Sequence, residues 1–300
     1  MARSQNAAVS RRRIRSRLRA LRGETKKTQR EVALALDWSP TKLMRIEGGR
    51  VGISTTDLKA ILTYYGLTDE GQVTDLVETA RVSRSNTLAG TYRSALSKEF
   101  AEFLENEEAA RIIRHFETGV IPGPLQTEDY SRAILTNYAD GRLSSDVIEQ
   151  RVEARLARRE LILQSDGPEA FFILDEAALW RSVGAESGNR AVMAQQLEDM
   201  METARHPNIT IQIMPFGLGA YPAMRQPFVI LEFEEAADDD LLYLEGPEEE
   251  LVIYDDPGRT EPYLHNFYDM EGKATSPDKA PESLEKALTI YRKGGVGIAV

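Results

Sequence analysis

Residues 28–50 read TQREVALALDWSPTKLMRIEGGR, and this stretch decides the fold of the N-terminal part of the chain. Thr28 with Glu31 three residues later forms a capping-box pattern, which predicts that a helix begins there. Ser39 followed by Pro40 predicts the start of the next helix, because serine caps helices and proline favours the first helical position. Two short helices joined by a tight turn are typical of a helix-turn-helix.

The second of these helices has a polar outer face. Thr41, Lys42 and Arg45 supply the hydrogen-bonding groups that reading base edges in the major groove requires. Gln29 lies at a helix start, where its amide and free backbone N–H groups suit a phosphate. The expected DNA-binding residues are Gln29, Ser39, Pro40, Thr41, Lys42, Arg45 and Arg50. A helical hairpin from a protein-interaction module would show a similar apolar pattern and is the alternative.

Apolar periodicity extends the prediction to a head of five helices. The first is expected from Arg11 to Arg22 after a frayed arm, the fourth over about residues 56–65 and the fifth over about 70–81. In the third helix, Leu43, Met44 and Ile46 are expected to point inward.

The charge of the chain is unevenly distributed. Residues 1–60 contain 15 Lys and Arg against 5 Asp and Glu, whereas the remaining 240 residues contain 22 against 43. A basic head on an acidic body is expected when one domain meets a polyanion. Arginines 11–19 are expected to add nonspecific phosphate contacts. A basic disordered tail is the alternative interpretation.

The sequence predicts three parts: a DNA-binding domain at 1–81, a linker at 82–97, and a body at 98–300 for sensing, partner binding or dimerisation. The body is expected to be α+β, with a modest sheet flanked by helices. Its first helix is predicted over residues 98–117, and its strands near 171–174, 209–213, 228–233, 241–244 and 251–254. The loop 121–127, IPGPLQT, is interpreted either as a pocket lining or as a rigid connection.

We expect no enzymatic activity, no cofactor and no metal. The chain has no cysteine, three scattered histidines and no recognisable catalytic frame. Asp175 and Glu176 are close carboxylates, but a helix N-cap is the preferred interpretation, and the acidic run 238–240 is interpreted as a solvated turn. No apolar run has the length of a membrane helix, so a cytoplasmic protein with no membrane contact is expected.

The head resembles the lambda/Cro-type, or Xre-type, family of DNA-binding domains. The similarity covers about residues 15–67 and rests on Thr28-Gln29, Ala33, Leu36 and the run 45–50, RIEGGR. By that resemblance Gln29 contacts a phosphate, and Pro40, Thr41 and Arg45 take the base-reading positions. It also implies that Arg22 and Glu47 form a structural pair rather than DNA contacts. The family often has glycine where this chain has Lys26.

The body resembles the uncharacterised C-terminal domain of an actinobacterial family of regulators with such a head. The pieces that carry the similarity are FLENEEA at 103–109, IPGPLQTEDY at 121–130 and LDEAAL at 174–179. The family implies a small partner protein encoded nearby, in pairs that are sometimes toxin–antitoxin-like.

We therefore expect a sequence-specific transcriptional regulator whose third helix enters the major groove of double-stranded DNA. A homodimer is expected, held together through residues 98–300, because one head reads too few base pairs to select a genomic site. The spare apolar elements expected to form the interface include residues 100–116 and the two closing helices, near 260–270 and 283–292. The alternative is an antitoxin-like or scaffold protein whose body holds a small partner and for which DNA binding is secondary.

Overall fold

The structure is a computed structural model that describes residues 7–48, 51–84, 87–185, 189, 191–234, 240–246, 250–254 and 256–293. The described chain divides into two compact units. The head comprises the residues up to 91 together with 104–109, and the body comprises 92–103, 110–234 and the residues after 239.

The head contains the five expected helices. They are α1 (Ala7–Thr25), α2 (Gln29–Ala35), α3 (Pro40–Glu47), α4 (Thr55–Tyr64) and α5 (Glu70–Val82). The Thr28–Glu31 capping box is present, and the Ser39 side chain caps α3 by accepting a hydrogen bond from the Lys42 backbone N–H. Leu18, Leu43 and Leu58 from three different helices are among the fully buried side chains of one core.

Two expectations for the head are corrected. The helix α1 begins at Ala7, so part of the expected frayed arm is helical, while residues 1–6 lie outside the described part of the chain. Met44 does not point inward: its side chain is 52% exposed, whereas Leu43 and Ile46 are buried. The buried residues of α3 are Leu43, Ile46 and Glu47, at spacings of three and four residues, and Met44 lies outside the stripe that they form.

The turn between α1 and α2 adopts a left-handed conformation at Lys26, with φ of 54°. This is the position at which glycine is common in the resembling family. A side chain with a Cβ atom pays a steric penalty in this region that glycine avoids. The turn therefore holds a lysine in a conformation that favours glycine.

The segment expected to be a linker contains the short helix α6 (Leu88–Thr91). Residues 104–109, predicted to belong to the body, contribute to the head. Within this unit, the Glu108 carboxylate accepts hydrogen bonds from the backbone N–H groups of Leu88 and Ala89, at 2.7 and 3.3 Å. Burial raises the pKa of Glu108 to about 7.

The body is α+β, with six strands and seven helices in its described residues. Its helices are α7 (Lys98–Glu107, whose last residues belong to the head), α8 (Glu128–Ala139), α9 (Ser145–Ile162), α10 (Ala177–Trp180), α11 (Ala191–Thr203), α12 (Pro257–Glu271) and α13 (Ala280–Arg292). The strands are β1 (Ile112–Glu117), β2 (Glu169–Asp175), β3 (Ile209–Met214), β4 (Phe228–Glu232), β5 (Leu241–Glu245) and β6 (Glu250–Ile253).

The six strands form one mixed sheet in the order β3-β2-β1-β4-β5-β6. The pairs β1–β2 and β2–β3 are parallel, and the remaining three are antiparallel. One face packs in a core with residues of α8, α9, α11 and α13, and the other face packs with residues of α12. The sheet is therefore covered by helices on both faces.

The predicted long helix at 98–117 is wrong in its second half. The helix α7 ends at Glu107, and residues 112–117 form the central strand β1. A strand buried on both faces has no polar alternation to separate it from a buried helix.

The apolar residues that motivated a dimer interface in the body are used by its own core. Phe103, Phe116, Leu284 and Leu288 are almost fully buried within the single chain. These residues are therefore not available for an interface, and the reason for expecting one at residues 100–116 and the closing helices no longer holds.

Replacing Lys26 with glycine should stabilise the head by about 0.5–1 kcal/mol, because it removes the left-handed strain. Urea unfolding followed through Trp38 fluorescence measures this, in a Trp180→Phe background that removes the other tryptophan. The matched control is Lys27→Gly, at a neighbouring exposed position without a positive φ. A stability gain in the control and none in Lys26→Gly would contradict the prediction.

Candidate nucleic-acid interface

The outer face of α3 depends on a buried carboxylate at the end of that helix. Glu47 is 1% exposed, and its Oε1 accepts a hydrogen bond from Arg22 Nε of α1 at 2.9 Å. Its Oε2 accepts a hydrogen bond from Gln29 Nε2 of α2 at 2.7 Å. The expected Arg22–Glu47 pair is confirmed, and Gln29 extends it into a link among three helices.

The backbone of Glu47 is held as well. Its carbonyl oxygen accepts hydrogen bonds from Arg19 Nε at 3.1 Å and Nη2 at 2.8 Å. Both ends of this residue are thus tied to α1. Because Glu47 is the last residue of α3, these contacts fix the position of the helix against the rest of the head.

Gln29 has a structural contact that the sequence did not indicate. Its amide nitrogen donates to Glu47, so that donor is already used within the head. The amide nitrogen has a second N–H that this hydrogen bond does not use, so contact with a phosphate does not require the bond to Glu47 to open. The assignment of Gln29 to a phosphate stays a prediction.

Lys42 and Ser39 also have roles inside the head. Lys42 Nζ lies 2.7 Å from Asp57 Oδ1 and 4.1 Å from the centre of the Trp38 ring. Ser39 caps α3, with its Oγ 3.2 Å from the Lys42 backbone nitrogen. Both residues lie at the expected surface, but the Lys42 ammonium group is paired there rather than extended.

The remaining predicted residues form an exposed surface on α3. Pro40, Thr41 and Arg45 are all exposed, and Met44 joins them. Arg45 has no hydrogen-bond or ion-pair partner among the described residues. We call Pro40, Thr41, Met44 and Arg45 the α3 surface. Met44 follows Thr41 by three residues and therefore lies on the same side of the helix. This spacing could have placed it on the exposed face from the sequence alone. Arg50 lies outside the described residues.

The arginines of α1 are bound within the head. Arg11 pairs with Glu105 at 3.0 Å, and Arg13 pairs with Asp75 at 3.0 Å. Arg12 and Arg15 both donate to the Asn106 side chain at 3.0 Å. The expected role of arginines 11–19 in phosphate binding is therefore at odds with their contacts, which hold α1 to α5 and to residues 105–106.

Two models of known protein families match parts of the chain. A family model described as a helix-turn-helix domain matches residues 13–76. A second model, described as a domain of unknown function (DUF5753), matches residues 100–286. The chain belongs to the DUF5753 family. No curated protein and no solved structure is detectably similar to it.

The carboxylates singled out in the DUF5753 domain have structural contacts. Asp175 Oδ1 accepts from the Ala177 backbone N–H at 2.9 Å, and Oδ2 accepts from the Tyr221 hydroxyl at 2.5 Å. Glu176 accepts from the Trp180 indole N–H at 3.2 Å and from the Phe216 backbone N–H at 2.9 Å. Contrary to expectation, Asp175 is not the N-cap of α10: the N-cap is Glu176, which makes no side-chain cap hydrogen bond, and Asp175 accepts from the first N–H of the helix from one residue further back. Residues 238 and 239 of the acidic run lie outside the described residues.

In the DUF5753 domain, the loop 121–127 is held by buried side chains. Gln126 Nε2 donates to the Ile121 carbonyl at 2.7 Å, and the Tyr130 hydroxyl accepts from the Ile121 backbone N–H at 3.0 Å. Gln196 accepts from the Thr127 backbone N–H at 2.8 Å and donates to the Leu125 carbonyl at 2.7 Å. The loop is therefore a rigid connection, and it also lines a cavity.

None of the helices in the described ranges has both the length and the apolar character needed to cross a membrane.

Replacing Glu47 with glutamine should destabilise the head by about 2–3 kcal/mol, because it leaves the Arg22 guanidinium partly buried without its counter-charge. Arg22 is 25% exposed, so solvent screens part of the loss. The Trp38 fluorescence assay in urea measures the change. The control is Asp75→Asn, which breaks an exposed pair and should cost about 0–1 kcal/mol. Equal losses in the two variants would show that burial of Glu47 has no special effect.

Proposed function

We propose that the chain is a sequence-specific, DNA-binding transcriptional regulator of the Xre type, in which α3 enters the major groove. The observation that carries the proposal is the exposed Arg45, which has no partner among the described residues and lies on a helix whose opposite side is anchored through Glu47. A guanidinium on a rigidly held helix can make a bidentate contact with guanine, and Met44 and Pro40 offer apolar contact to a thymine methyl.

The proposal assigns different roles to the two exposed arginines of the motif. Arg45 on α3 contacts base edges, and Arg30 on α2, also exposed, contacts the phosphate backbone. Because a regulator of this kind works on chromosomal DNA, we place the protein in the cytoplasm. The proposal assigns no catalytic role to the DUF5753 domain.

Arg45→Ala should lower affinity for the selected site by about 1–3 kcal/mol and should relax selectivity at one base position. The full chain is first used to select fragments from its own genome. Binding of each variant to the enriched site and to a scrambled duplex is then measured by fluorescence anisotropy over a range of salt concentrations.

Two matched variants make the test decisive. Arg30→Ala should weaken binding to both duplexes equally and lower the salt dependence, as loss of a phosphate contact does. Arg81→Ala, which removes an exposed arginine paired with Glu78 on α5, should change neither. If Arg45→Ala weakens both duplexes equally, α3 does not read the sequence.

We also propose that the regulator acts as a homodimer. Two heads about 34–36 Å apart would read two half-sites separated by one turn of DNA. Light scattering on the full chain without DNA should give twice the 33.6 kDa mass of one chain. A single-chain mass at micromolar concentration would contradict a constitutive dimer.

The second candidate function is a scaffold or antitoxin-like protein that holds a small partner encoded nearby. It is favoured by an exposed apolar stretch after β3, in which Phe216, Leu218 and Met224 are 48%, 37% and 51% exposed. Such a stretch is typical of an interaction site. A neighbouring gene product that forms a stoichiometric complex with the full chain, while the chain alone shows no selective DNA binding, would favour this function over the first.

A further inference from the structure

The DUF5753 domain contains a cavity of about 160 Å³ beside α9. Its floor is the central part of the sheet, where His115 of β1, Val229 of β4 and Tyr243 of β5 lie on one cross-strand row. The rigid loop 121–127 and α9 form further walls. We call this space the α9 cavity.

Three arginines of α9 line the cavity on one side. Arg151, Arg155 and Arg158 are spaced four and three residues apart, so they lie on one face of the helix. Arg151 Nε donates to the Ala95 carbonyl at 2.7 Å. Arg158 is 4% exposed, and its guanidinium lies 5.3 Å from the Phe100 ring centre.

Arg155 differs from its two neighbours because it makes no hydrogen bond to any residue that the structure describes. Burial and the nearby charge of Arg158 lower its pKa to about 10, so it stays charged at neutral pH. A half-buried cation without hydrogen bonds is costly unless something compensates it. Glu245, an exposed lining residue, contributes only a charge effect on Arg155.

Two acidic groups of the lining are already in contact with donors from the chain itself. Glu117 Oε1 accepts from the Thr118 backbone N–H at 2.9 Å, and the Glu250 carboxylate accepts from the Ser97 hydroxyl. The Arg155 guanidinium, by contrast, makes no hydrogen bond to the described residues and keeps its donors for another partner. A guanidinium has five donors whose geometry matches a carboxylate in a bidentate contact.

His115 is a second unsatisfied group at this cavity. It is 8% exposed, and its Nδ1 has no hydrogen-bond partner among the described residues. Its cross-strand neighbours Phe172 and Val229 are apolar, so the histidine interrupts an otherwise apolar row. A buried polar group of this kind calls for a specific explanation.

The rest of the lining is aromatic and aliphatic. Phe103 and Tyr243 stack with ring centres 4.3 Å apart, and Phe100 and Phe228 also line the cavity. A mostly apolar pocket with a few convergent polar groups is the usual form of a small-molecule site.

Glycine at position 123 keeps the arginine side of the cavity open. A Cβ atom there would lie 3.0 Å from Arg158 Nη1 and 3.6 Å from Arg155 Nε. The loop therefore approaches the guanidinium groups as closely as a residue without a side chain allows.

We propose that the α9 cavity binds a small organic carboxylate with an apolar, aromatic body, and that Arg155 pairs with the carboxylate. The aromatic body packs against Phe103, Phe228 and Tyr243. This site lies wholly within the DUF5753 domain, and the proposal does not depend on DNA binding.

The test uses phenylacetate as the probe and the full chain. Its neutral analogue phenylacetamide lacks the charge, and acetate lacks the aromatic body. Saturation-transfer NMR and titration calorimetry should show phenylacetate binding at millimolar concentration or below. Phenylacetamide should bind about ten-fold more weakly because it loses the charged hydrogen bond, and acetate should bind about ten-fold more weakly because it loses burial of the ring.

Arg155→Met should weaken phenylacetate binding by about ten-fold or more and abolish the preference over phenylacetamide. Its thermal midpoint should be unchanged or higher, because the substitution removes a half-buried cation that makes no hydrogen bond to the described residues. The control is Arg205→Gln, whose side chain is 74% exposed and pairs with Glu202 three residues earlier. It should bind phenylacetate as the original chain does.

Failure of the wild-type chain to bind phenylacetate at about 10 mM would overturn the proposal, since a built carboxylate site should retain at least this affinity. Equal binding by Arg155→Met would overturn it as well. If Arg155→Met does not fold, Arg155→Lys carries the test, because it retains the charge and loses the bidentate geometry. It should bind several-fold more weakly, and unchanged binding would contradict the role of Arg155.

Discussion

The arrangement of the head depends on one buried charge, the carboxylate of Glu47. It receives hydrogen bonds from Arg22 of α1 and Gln29 of α2, and it ends α3. A buried carboxylate is unfavourable without hydrogen-bond partners, and the hydrogen bonds that it accepts are directional. The contacts of Glu47 therefore favour one packing of the three short helices. Apolar packing alone tolerates many helix orientations. The outward direction of Thr41 and Arg45 follows from this fixed packing.

The same contacts change how the positive charge of the head should be understood. Arg11, Arg13 and Arg19 are used to hold α1 to other parts of the head. Their charge still contributes to the long-range field that attracts a polyanion. The exposed Arg30 and Arg45 are the arginines to which the proposed function assigns direct contact. The net charge of the head thus indicates a polyanionic partner, whereas the contacts of each arginine decide which arginines can bind that partner directly.

The sequence was sufficient for the head because its signals are local. A capping box, a serine cap before proline and a helical apolar stripe each act within about four residues. The Arg22–Glu47 pair was predicted through family resemblance, but the hydrogen bond from Gln29 was not. Strand β1 was missed for the opposite reason. Its burial on both faces depends on partners β2 and β4, which lie far along the chain.

The α9 cavity could not be predicted from the sequence for the same reason, since it also depends on contacts between distant segments. The spacing of Arg151, Arg155 and Arg158 is visible in the sequence, but on a long helix rich in Arg and Glu it is typical of a solvated face. In the structure these arginines line a cavity instead, because β1 places His115 on the facing surface and the loop at Gly123 lies close to the guanidinium groups. Arg158 has aromatic rings and Arg151 has a carbonyl oxygen as partners. Arg155 has neither among the described residues, and for this reason we assign it to the ligand.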